Sequence, residues 1–415
     1  MINKDAGCKP LRALILGYGI RGRVYASYAA SHPDRYSIVG IADPAFGQGE
    51  TLNVPCWSDW KEALASGVEA DVAVIALPDA LHCKACLPAL EKGLHVLLEK
   101  PVGCNLEECM AIRDAQRKAK RLVLTGYVLR YSPYYRKLNE LVHSGEIGEI
   151  VSIHHLVAVS YGKAAHSYCR GNWSVESNGT GMLVNKCIHD MDLVCSWMKG
   201  RNCINVSSFG SLSQWRPDNR PAGAADRCCD CPANVSNACP FDAYKLYLKR
   251  PDLRYHFPDA SDEAMKLVVE ASRYGRCVYA CGNDSVDHQT VMMQFESGST
   301  VTLEMESFSK RRGRITRFFG AKGEMLADGE KIVIMPFDGD DHAIIPMQTG
   351  HHGGGDREIM TEFAKIVNHG SPVEWNRIID DALQSHRIAF MAEASRKGER
   401  VMVIRNNERG AYETF

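Results

Sequence analysis

A short apolar stretch, Leu11–Leu16, leads directly into the glycine pattern G-x-G-x-x-G over Gly17–Gly22. Helical composition follows from Arg21 to Ala30, and a second apolar stretch, Ser37–Ala42, ends at the acidic residue Asp43. A strand, a glycine-rich turn, a helix and a second strand closed by an acidic residue form the βαβ unit of dinucleotide-binding folds. This unit constrains the first part of the chain to an α/β fold.

Each glycine of the pattern has its own task in such a unit. Gly17 makes the tight turn, Gly19 lets the backbone approach a pyrophosphate, and Gly22 lets the helix pack on the strand. The first turn of the helix supplies N–H groups and a partial positive charge to the phosphates. The dinucleotide site is therefore predicted at Gly17, Gly19, Ile20, Arg21 and Gly22.

Asp43 bears on which dinucleotide binds. Its carboxylate can accept hydrogen bonds from the hydroxyls of the adenosine ribose and would repel a 2′-phosphate. No arginine follows within Asp43–Gly47 to offset that repulsion. These features favour NAD over NADP as the cofactor.

Composition excludes several classes of protein. The 415 residues are 45% hydrophobic and 24% charged, which is typical of a globular chain with two or three domains. A formal net charge of −1 and the lack of a basic stripe argue against a nucleic-acid partner. The first residues are too polar for a signal peptide, and no apolar run approaches the ~20 residues of a membrane span. We therefore expect a cytoplasmic protein with no membrane partner.

Up to residue 125 the sequence alternates between strand-like and helix-like segments. Asp71–Leu77 is continuously apolar, as expected of a parallel strand that is buried on both faces. A helix at His82–Lys92, a strand at Leu94–Leu98 and a helix at Glu107–Lys120 follow. The alternation predicts an N-terminal domain, residues 1–125, with a Rossmann-type, doubly wound parallel sheet.

Beyond Tyr127 the pattern becomes that of a second, α+β domain, residues 126–400, with a large and mostly antiparallel sheet. Strands are expected at 150–159, 204–213, 289–296, 299–308 and 315–320. The turn Glu296–Ser299 indicates antiparallel pairing of its two neighbours. Residues 214–286 are rich in Cys, Pro and charge and are interpreted as an insertion. Late helices are expected at 356–369 and 378–397, before a C-terminal tail at 401–415.

Lys100 stands in Glu99-Lys100-Pro101, directly after an apolar strand. Open α/β folds bind their ligands at that edge of the sheet. A lysine close to a nicotinamide and a hydroxyl can hydrogen-bond the oxygen that becomes a carbonyl and can help carry its proton. On spacing alone, an exposed lysine after a strand is an equal alternative.

Taken together, the motifs resemble the glucose–fructose oxidoreductase / inositol dehydrogenase / MocA family of NAD(P)-dependent sugar and cyclitol oxidoreductases. The resemblance covers residues 11 to 400. It is carried by Gly17–Gly22, by Leu77-Pro78 followed by His82, by Glu99-Lys100-Pro101 and by the helical segment Gly181–Leu193. It implies cofactor contacts by Leu77, Pro78, His82, Glu99 and Lys100, and a catalytic Lys100. It also implies a homodimer or homotetramer that covers the outer face of the large sheet.

The second catalytic element of the family is commonly Asp-x-x-x-His. The matching positions here are Asn185 and His189, so the acidic member is missing. Residues four apart share one face of a helix, and Lys186 adds a cation beside them. His189 and Lys186 are therefore predicted to act with Lys100, because an imidazole exchanges protons near neutral pH. A histidine hydrogen-bonded within the core is the alternative.

The resemblance also implies substrate contacts at the start of the second domain and on the same helix. A Tyr or Arg at those positions can bind sugar hydroxyls or can pack at a domain interface. The predicted substrate-binding residues are Tyr127, Arg130, Asn185, Lys186, His189 and Asp190. Asp192 is expected to anchor its helix.

The chain has 16 cysteines, most of them single residues in apolar segments, where a reduced Cys behaves as a small hydrophobe. Cys228-x-x-Cys231 has the spacing of a zinc knuckle, and Cys239 with Cys277 or Cys281 would complete four thiolates. One structural zinc is therefore predicted at Cys228, Cys231, Cys239 and Cys277, stabilising the insertion. An iron–sulfur cluster and a metal-free loop are the alternatives.

The motifs and the resemblance predict an NAD-dependent oxidoreductase. It would move a hydride between nicotinamide and a secondary-alcohol ring carbon of a cyclitol, a sugar or a glycoside, with C3 of a glycoside favoured. A second interpretation is a glycosidase with tightly bound NAD, which oxidises the sugar transiently and eliminates the aglycone. Its additional base would be Tyr127, His351 or His352. A third interpretation is a non-catalytic NAD-binding sensor.

Overall fold

The structure is a computed structural model that describes residues 9–45, 53–250, 253 and 261–404. The chain divides into two compact units. Unit 1 consists of Met1–Gly145, Ile188–Gly200 and Ile345–Phe390, and unit 2 of Glu146–Cys187, Arg201–Ile344 and Met391–Phe415. Each unit is thus assembled from separate stretches of chain. The sequence-based boundary at residues 125/126 stays a prediction, and most of the predicted tail lies outside the described residues.

Two sheets account for the strands of the described residues. Those of unit 1 are β1 Leu11–Leu16, β2 Tyr36–Ala42, β3 Cys56–Trp57, β4 Val72–Ile75, β5 His95–Leu98 and β6 Val123–Thr125. Those of unit 2 are β7 Ile150–Ala158, β8 Cys203–Ser211, β9 His288–Phe295, β10 Thr300–Glu306, β11 Gly313–Gly320, β12 Gly323–Ala327, β13 Ile332–Pro336, β14 His342–Ile344 and β15 Met402–Val403.

The helices range from single turns to a helix of 27 residues. They are α1 Ile20–Ser31, α2 Trp60–Ala65, α3 His82–Glu91, α4 Leu106–Ala119, α5 Val128–Tyr131, α6 Pro133–His143, α7 Tyr161–Ala164, α8 Gly181–Trp197, α9 Ala233–Ala238, α10 Ala243–Lys249, α11 Asp262–Ala271, α12 Gly355–His369 and α13 Pro372–Gly398. Within the described ranges, no helix is both long enough and apolar enough to cross a membrane.

The sheet of unit 1 is parallel, with the strand order β3-β2-β1-β4-β5-β6 over its six described strands. This is the order of the doubly wound dinucleotide-binding fold, in which the direction of winding reverses between β1 and β4. The predicted Rossmann-type sheet is confirmed. The carboxyl ends of β1 and β4 therefore border the crevice in which such folds bind their ligands.

Helices cover both faces of this sheet because successive strand residues point to opposite sides. On one face Ile15 lies in a buried cluster with Tyr25 of α1 and Phe363 of α12. On the other face the neighbouring Leu14 lies in a second cluster with Ile112 of α4 and Leu383 of α13. The late helices of the chain thus complete the core of the N-terminal sheet.

The sheet of unit 2 has the order β14-β13-β12-β11-β7-β10-β9-β8-β15 over its nine described strands. Neighbouring strands are antiparallel except β7 and β10, which pair in parallel. The predicted mostly antiparallel sheet is confirmed, as is the β9–β10 hairpin, where the Phe295 N–H donates to the Ser299 carbonyl at 2.9 Å. The short strands β12, β13 and β14 were not predicted.

Candidate functional site

The glycine-rich turn between β1 and α1 uses its glycines in two different ways. A Cβ on Gly17, whose φ is +94°, would lie 2.4 Å from the Ala76 carbonyl oxygen. A Cβ on Gly22 would lie 1.9 Å from the Gly17 carbonyl oxygen, whereas one on Gly19 would meet no atom within 4 Å. The fold itself therefore requires Gly17 and Gly22, and Gly19 faces open space.

The open space lies at the start of α1. Gly19 is the N-cap of this helix and has no side chain that could cap the first N–H groups. The next residue, Ile20, is exposed. The N–H groups of the first helical turn are thus oriented toward any anion that binds there. This cradle fits the pyrophosphate of a dinucleotide.

Asp43 lies at the carboxyl end of β2, beside the same turn. Its Oδ2 accepts a hydrogen bond from the Tyr18 N–H at 2.6 Å, and its Oδ1 accepts one from the Ala45 N–H at 2.9 Å. These two contacts fix the orientation of the carboxylate. Its contact with an adenosine ribose stays a prediction.

His82 connects the loops that follow β4 and β5. Its Nδ1 lies 2.6 Å from the Pro101 carbonyl oxygen, and its Nε2 lies 2.9 Å from the Leu77 carbonyl oxygen. The side chain is fully buried, and Pro78 beside it is exposed. The structure therefore gives His82 a loop-bridging position, and a direct contact of His82, Leu77 or Pro78 with the cofactor stays a prediction.

Glu99 is a buried carboxylate next to the half-buried Lys100. Its Oε1 accepts hydrogen bonds from Arg21 Nε and from the Tyr25 hydroxyl, both at 2.6 Å. Its Oε2 accepts the Lys100 N–H at 3.1 Å. Glu99 thus fixes the backbone at Lys100, which supports a positioning role for this carboxylate.

Arg21 is shared between two buried carboxylates. Besides Glu99 it contacts Asp356 of α12, with 2.9 Å between Nη2 and Oδ1. Burial acts to raise the pKa of both carboxyl groups, but the guanidinium and the hydrogen bonds outweigh it. Both pKa values lie below the ordinary range, so Glu99 and Asp356 are charged at neutral pH.

A second set of contacts starts at Val102, two residues after Lys100. The Val102 N–H donates to Nε2 of His386 at 2.9 Å, and Nδ1 of His386 lies 2.9 Å from the Tyr127 hydroxyl. Burial lowers the pKa of His386 to about 4, so the ring is neutral at pH 7. Tyr127 is buried, and its hydroxyl also lies 2.9 Å from Ser385 Oγ. The contact of Tyr127 with substrate stays a prediction.

His189 of α8 is half-buried and lies close to two other aromatic side chains of unit 1. Its ring centroid is 6.2 Å from that of Tyr127 and 6.4 Å from that of His352. His352 in turn contacts Asp356, which holds Arg21. A continuous set of contacts therefore connects Lys100 with His189. This set, the Lys100 network, consists of Arg21, Glu99, Lys100, Val102, Tyr127, His189, His352, Asp356 and His386.

The exposure of α8 separates its predicted residues into two groups. Lys186 and His189, three residues apart, are half-buried, whereas Asn185 and Asp190 are buried. Asn185 Oδ1 accepts a hydrogen bond from the Tyr168 hydroxyl at 2.9 Å. Lys186 and His189 therefore share the accessible face of the helix. Substrate contacts by all four residues stay predictions.

Arg130 and Asp192 form an ion pair that joins α5 to α8. Arg130 Nη2 and Nε lie 2.6 Å and 2.9 Å from the two carboxylate oxygens of the buried Asp192. This bidentate arrangement fixes both side chains. The predicted contact of Arg130 with substrate is untested.

Tyr25, Asp356 and His386 were not predicted from the sequence, and His352 was predicted only as an alternative base. The run Gly353-Gly354-Gly355 before Asp356 was the available signal, because clustered glycines indicate a backbone with special requirements. The side chain of His351, the other alternative base, lies outside the described part of the structure.

The structure does not support the predicted zinc site. Cys228, Cys231, Cys239 and Cys277 line one small cavity in unit 2. However, no group of three or more His, Cys, Asp or Glu side chains in the described ranges is placed to hold a metal ion. Cys228 Sγ instead accepts the Ala243 N–H at 3.4 Å, and burial raises the pKa of its thiol to about 11, which favours the neutral form. The prediction is corrected to thiols around a cavity.

Comparison with known families gives two matches that together cover most of the chain. Residues 11–127 match the oxidoreductase family with an NAD-binding Rossmann fold, and residues 139–403 match the C-terminal alpha/beta domain of the same family. The chain belongs to the Gfo/Idh/MocA oxidoreductase family. It is an NAD-binding oxidoreductase, as the family resemblance predicted.

Relatives of this oxidoreductase differ in how much of it they cover. The protein YteT of Bacillus subtilis is 23% identical over 75% of this chain and 76% of its own length. The D-glucoside 3-dehydrogenase of Escherichia coli is 30% identical over 50% of this chain, and the match spans 63% of that enzyme. Scyllo-inositol dehydrogenase of Lactobacillus casei, solved with NAD(H) and scyllo-inositol, has a TM-score of 0.65, 17% identity and coverage of 95% and 99% of the two chains.

The two kinds of glycine in the turn give the first prediction. Gly22→Ala forces its Cβ against the Gly17 carbonyl oxygen and is expected to lower Tm even without cofactor. Gly19→Ala is expected to leave the Tm of the free protein unchanged and to weaken NAD binding by tenfold or more, roughly 1.4 kcal/mol. Thermal unfolding with and without NAD measures both effects. An unchanged NAD affinity in Gly19→Ala would contradict the site.

The buried carboxylates give a pH prediction. The ordinary pKa is 4.5 for Glu99 and 3.8 for Asp356, and the pKa of each group is lower in the folded protein. The two charged carboxylates therefore stabilise the fold at pH values above their ordinary pKa values. The stabilisation is lost as the pH falls through the lower folded pKa values. Urea unfolding at decreasing pH should therefore show a free energy of unfolding that falls below pH 4.5, less steeply in Glu99→Gln. Asp34→Asn, at an exposed carboxyl, is the control and should retain the wild-type slope.

Proposed function

We propose that this oxidoreductase oxidises a secondary alcohol on the ring of a cyclitol, a sugar or a glycoside, with NAD⁺ as the hydride acceptor. The observation that carries the proposal is the Lys100 network, which connects Lys100 at the carboxyl end of β5 with His189 on α8. A cation and an imidazole in one connected set are the groups that alcohol oxidation requires beside a nicotinamide. Names of relatives, D-glucoside 3-dehydrogenase and scyllo-inositol dehydrogenase, support the substrate class.

In the mechanism that follows, the Lys100 ammonium hydrogen-bonds the substrate oxygen and stabilises the negative charge that develops on it. His189 accepts the hydroxyl proton. Glu99 fixes the Lys100 backbone through its 3.1 Å hydrogen bond, and Arg21 keeps Glu99 charged. NAD, when bound at the glycine-rich turn, supplies the acceptor for the hydride. Lys186, on the accessible face of α8, binds a further oxygen of the substrate.

Within this class we favour C3 of a glycoside as the oxidised position. Support comes from the 30% identity to the D-glucoside 3-dehydrogenase, which is higher than the 23% identity to YteT. A cyclitol is the competing substrate, and a panel of both classes distinguishes them.

We also propose that the enzyme is a homodimer or homotetramer that pairs through the outer face of the unit 2 sheet. Phe209, Met292 and Ile315 lie on that face and are between 48% and 65% exposed. A sheet face with exposed apolar side chains is a common subunit interface.

The double substitution Phe209→Asp and Met292→Asp is expected to lower the mass of the assembly measured by light scattering. Phe337→Asp, at an exposed residue after β13, is the control and should not change it.

Substitution of Lys100 tests the catalytic assignment. Lys100→Met removes the hydrogen-bonding cation and is expected to lower kcat roughly a hundredfold or more while NAD binding persists. NADH absorbance is followed with a panel of cyclitols, free sugars and methyl glycosides. Lys84→Met, at an exposed lysine of α3, is the control and should retain wild-type rates.

Three results would contradict the proposal. Wild-type turnover that is unchanged in Lys100→Met would exclude the assigned role of Lys100. Bound NAD without turnover of any substrate in the panel would favour the sensor interpretation. Release of an aglycone without net NADH would favour the glycosidase interpretation.

A further inference from the structure

The turn that precedes α12 holds a histidine in an uncommon backbone conformation. His352 has φ +50° and ψ +33°, in the left-handed region that residues with a Cβ rarely adopt. Gly350, Gly353 and Gly354 around it also have positive φ values. Strained backbone conformations cluster at functional sites, which makes His352 a candidate functional residue.

A close backbone approach fixes the position of this turn. A Cβ on Gly355, the first residue of α12, would lie 2.0 Å from the Val128 carbonyl oxygen, so only glycine fits there. Val128 directly follows Tyr127, and the start of α12 is therefore held against the Tyr127 side of the Lys100 network. His352, in the turn just before this helix, lies beside His189, with 6.4 Å between the ring centroids.

His352 and Asp356 form a histidine–carboxylate pair. Nδ1 of His352 lies 3.1 Å and 3.0 Å from the two carboxylate oxygens of Asp356. Because the carboxylate only accepts hydrogen bonds, Nδ1 carries the proton, and Nε2 is the atom that can gain or lose one. Asp356 keeps its charge, since Arg21 and His352 outweigh the effect of burial on its pKa.

His352 is the most exposed member of the Lys100 network. Its side chain is 43% exposed, whereas His189 is half-buried and Tyr127 is buried. The centroids of the His189 and His352 rings are 6.4 Å apart, a separation that one water molecule can bridge. Asp356 additionally lines an open cleft of about 700 Å³ together with Thr349 and Gly350.

We propose that His352, oriented by Asp356, transfers the substrate proton from His189 to solvent, an inference that rests on the proposed function. In each turnover the C–H bond breaks and its hydrogen leaves as hydride with both electrons of the bond, for which bound NAD⁺ would be the acceptor. The O–H bond breaks and its proton passes to His189, through a water molecule to His352, and then to a buffer base. The products are the ketone, NADH and one protonated buffer molecule. Both histidines return to their neutral forms.

The experiment separates hydride transfer from proton release. His352→Asn is chosen because asparagine tolerates a positive φ, and His369→Asn, at the exposed end of α12, is the matched control. With the substrate found in the panel, His352→Asn is expected to lower kcat roughly a hundredfold in dilute buffer. The rate of the first turnover in stopped flow should stay within a few fold of wild type. Added imidazole should restore kcat in the variant, because it can reach a side chain that is 43% exposed in the wild type.

The outcomes test the proton relay from His189 through His352 and, separately, the proposed function. Restoration by imidazole in His352→Asn, with no effect of imidazole on wild type or His369→Asn, supports the relay. An unchanged kcat, or a first-turnover rate that falls with kcat and is not restored, would overturn the relay alone. Failure of the wild-type enzyme to oxidise any substrate in the panel would overturn the proposed function and the relay with it. Retained Tm and NAD affinity show that His352→Asn is folded.

Discussion

The Arg21 guanidinium lies between two buried carboxylates, Glu99 and Asp356, and the rest of the site depends on that arrangement. A buried carboxylate without a partner carries a desolvation penalty of several kcal/mol, so neither acid is stable in place without the cation. Arg21 belongs to the first turn of α1, between Gly19 and Gly22 of the predicted pyrophosphate cradle. The position of Lys100, through Glu99, and that of His352, through Asp356, are therefore both tied to the dinucleotide turn.

Glycines set the geometry of this arrangement at two distant points in the sequence. Gly22 lets α1 begin against the backbone of Gly17, and Gly355 lets α12 begin against the backbone at Val128. Each close approach places a helix start, and with it a charged side chain, at a defined position. Arg21 comes from the first helix start and Asp356 from the second. The ion pair is thus a consequence of two backbone contacts that no larger residue permits.

Much of the fold was predictable from the sequence because its signals are local. The run Asp71–Leu77 is continuously apolar, and β4 within it is buried on both faces; the turn Glu296–Ser299 predicted the β9–β10 hairpin. The strands β12 to β14 were missed because each is five residues or fewer, too short for a clear periodicity. Asp356 and His386 were missed for a different reason. Their importance comes from contacts with residues far away in the sequence, and one sequence carries no record of such contacts.

The cysteines and the histidines illustrate the same limit from opposite sides. The Cys228-x-x-Cys231 spacing suggested a metal site, but spacing does not fix where the thiols point. Both thiols accept hydrogen bonds from backbone N–H groups, and Cys228 also accepts one from Arg170. Conversely, Asn185 in place of an aspartate suggested that His189 had lost its acidic partner. The structure contains a histidine–carboxylate pair beside His189, formed by His352 in the turn before α12 and Asp356 on α12 rather than by a residue of α8. Since Asp356 shares Arg21 with Glu99, the charge that orients His352 and the charge that positions Lys100 are balanced by one cation. A change at Arg21 therefore acts on both groups together, and their effects on catalysis are not independent.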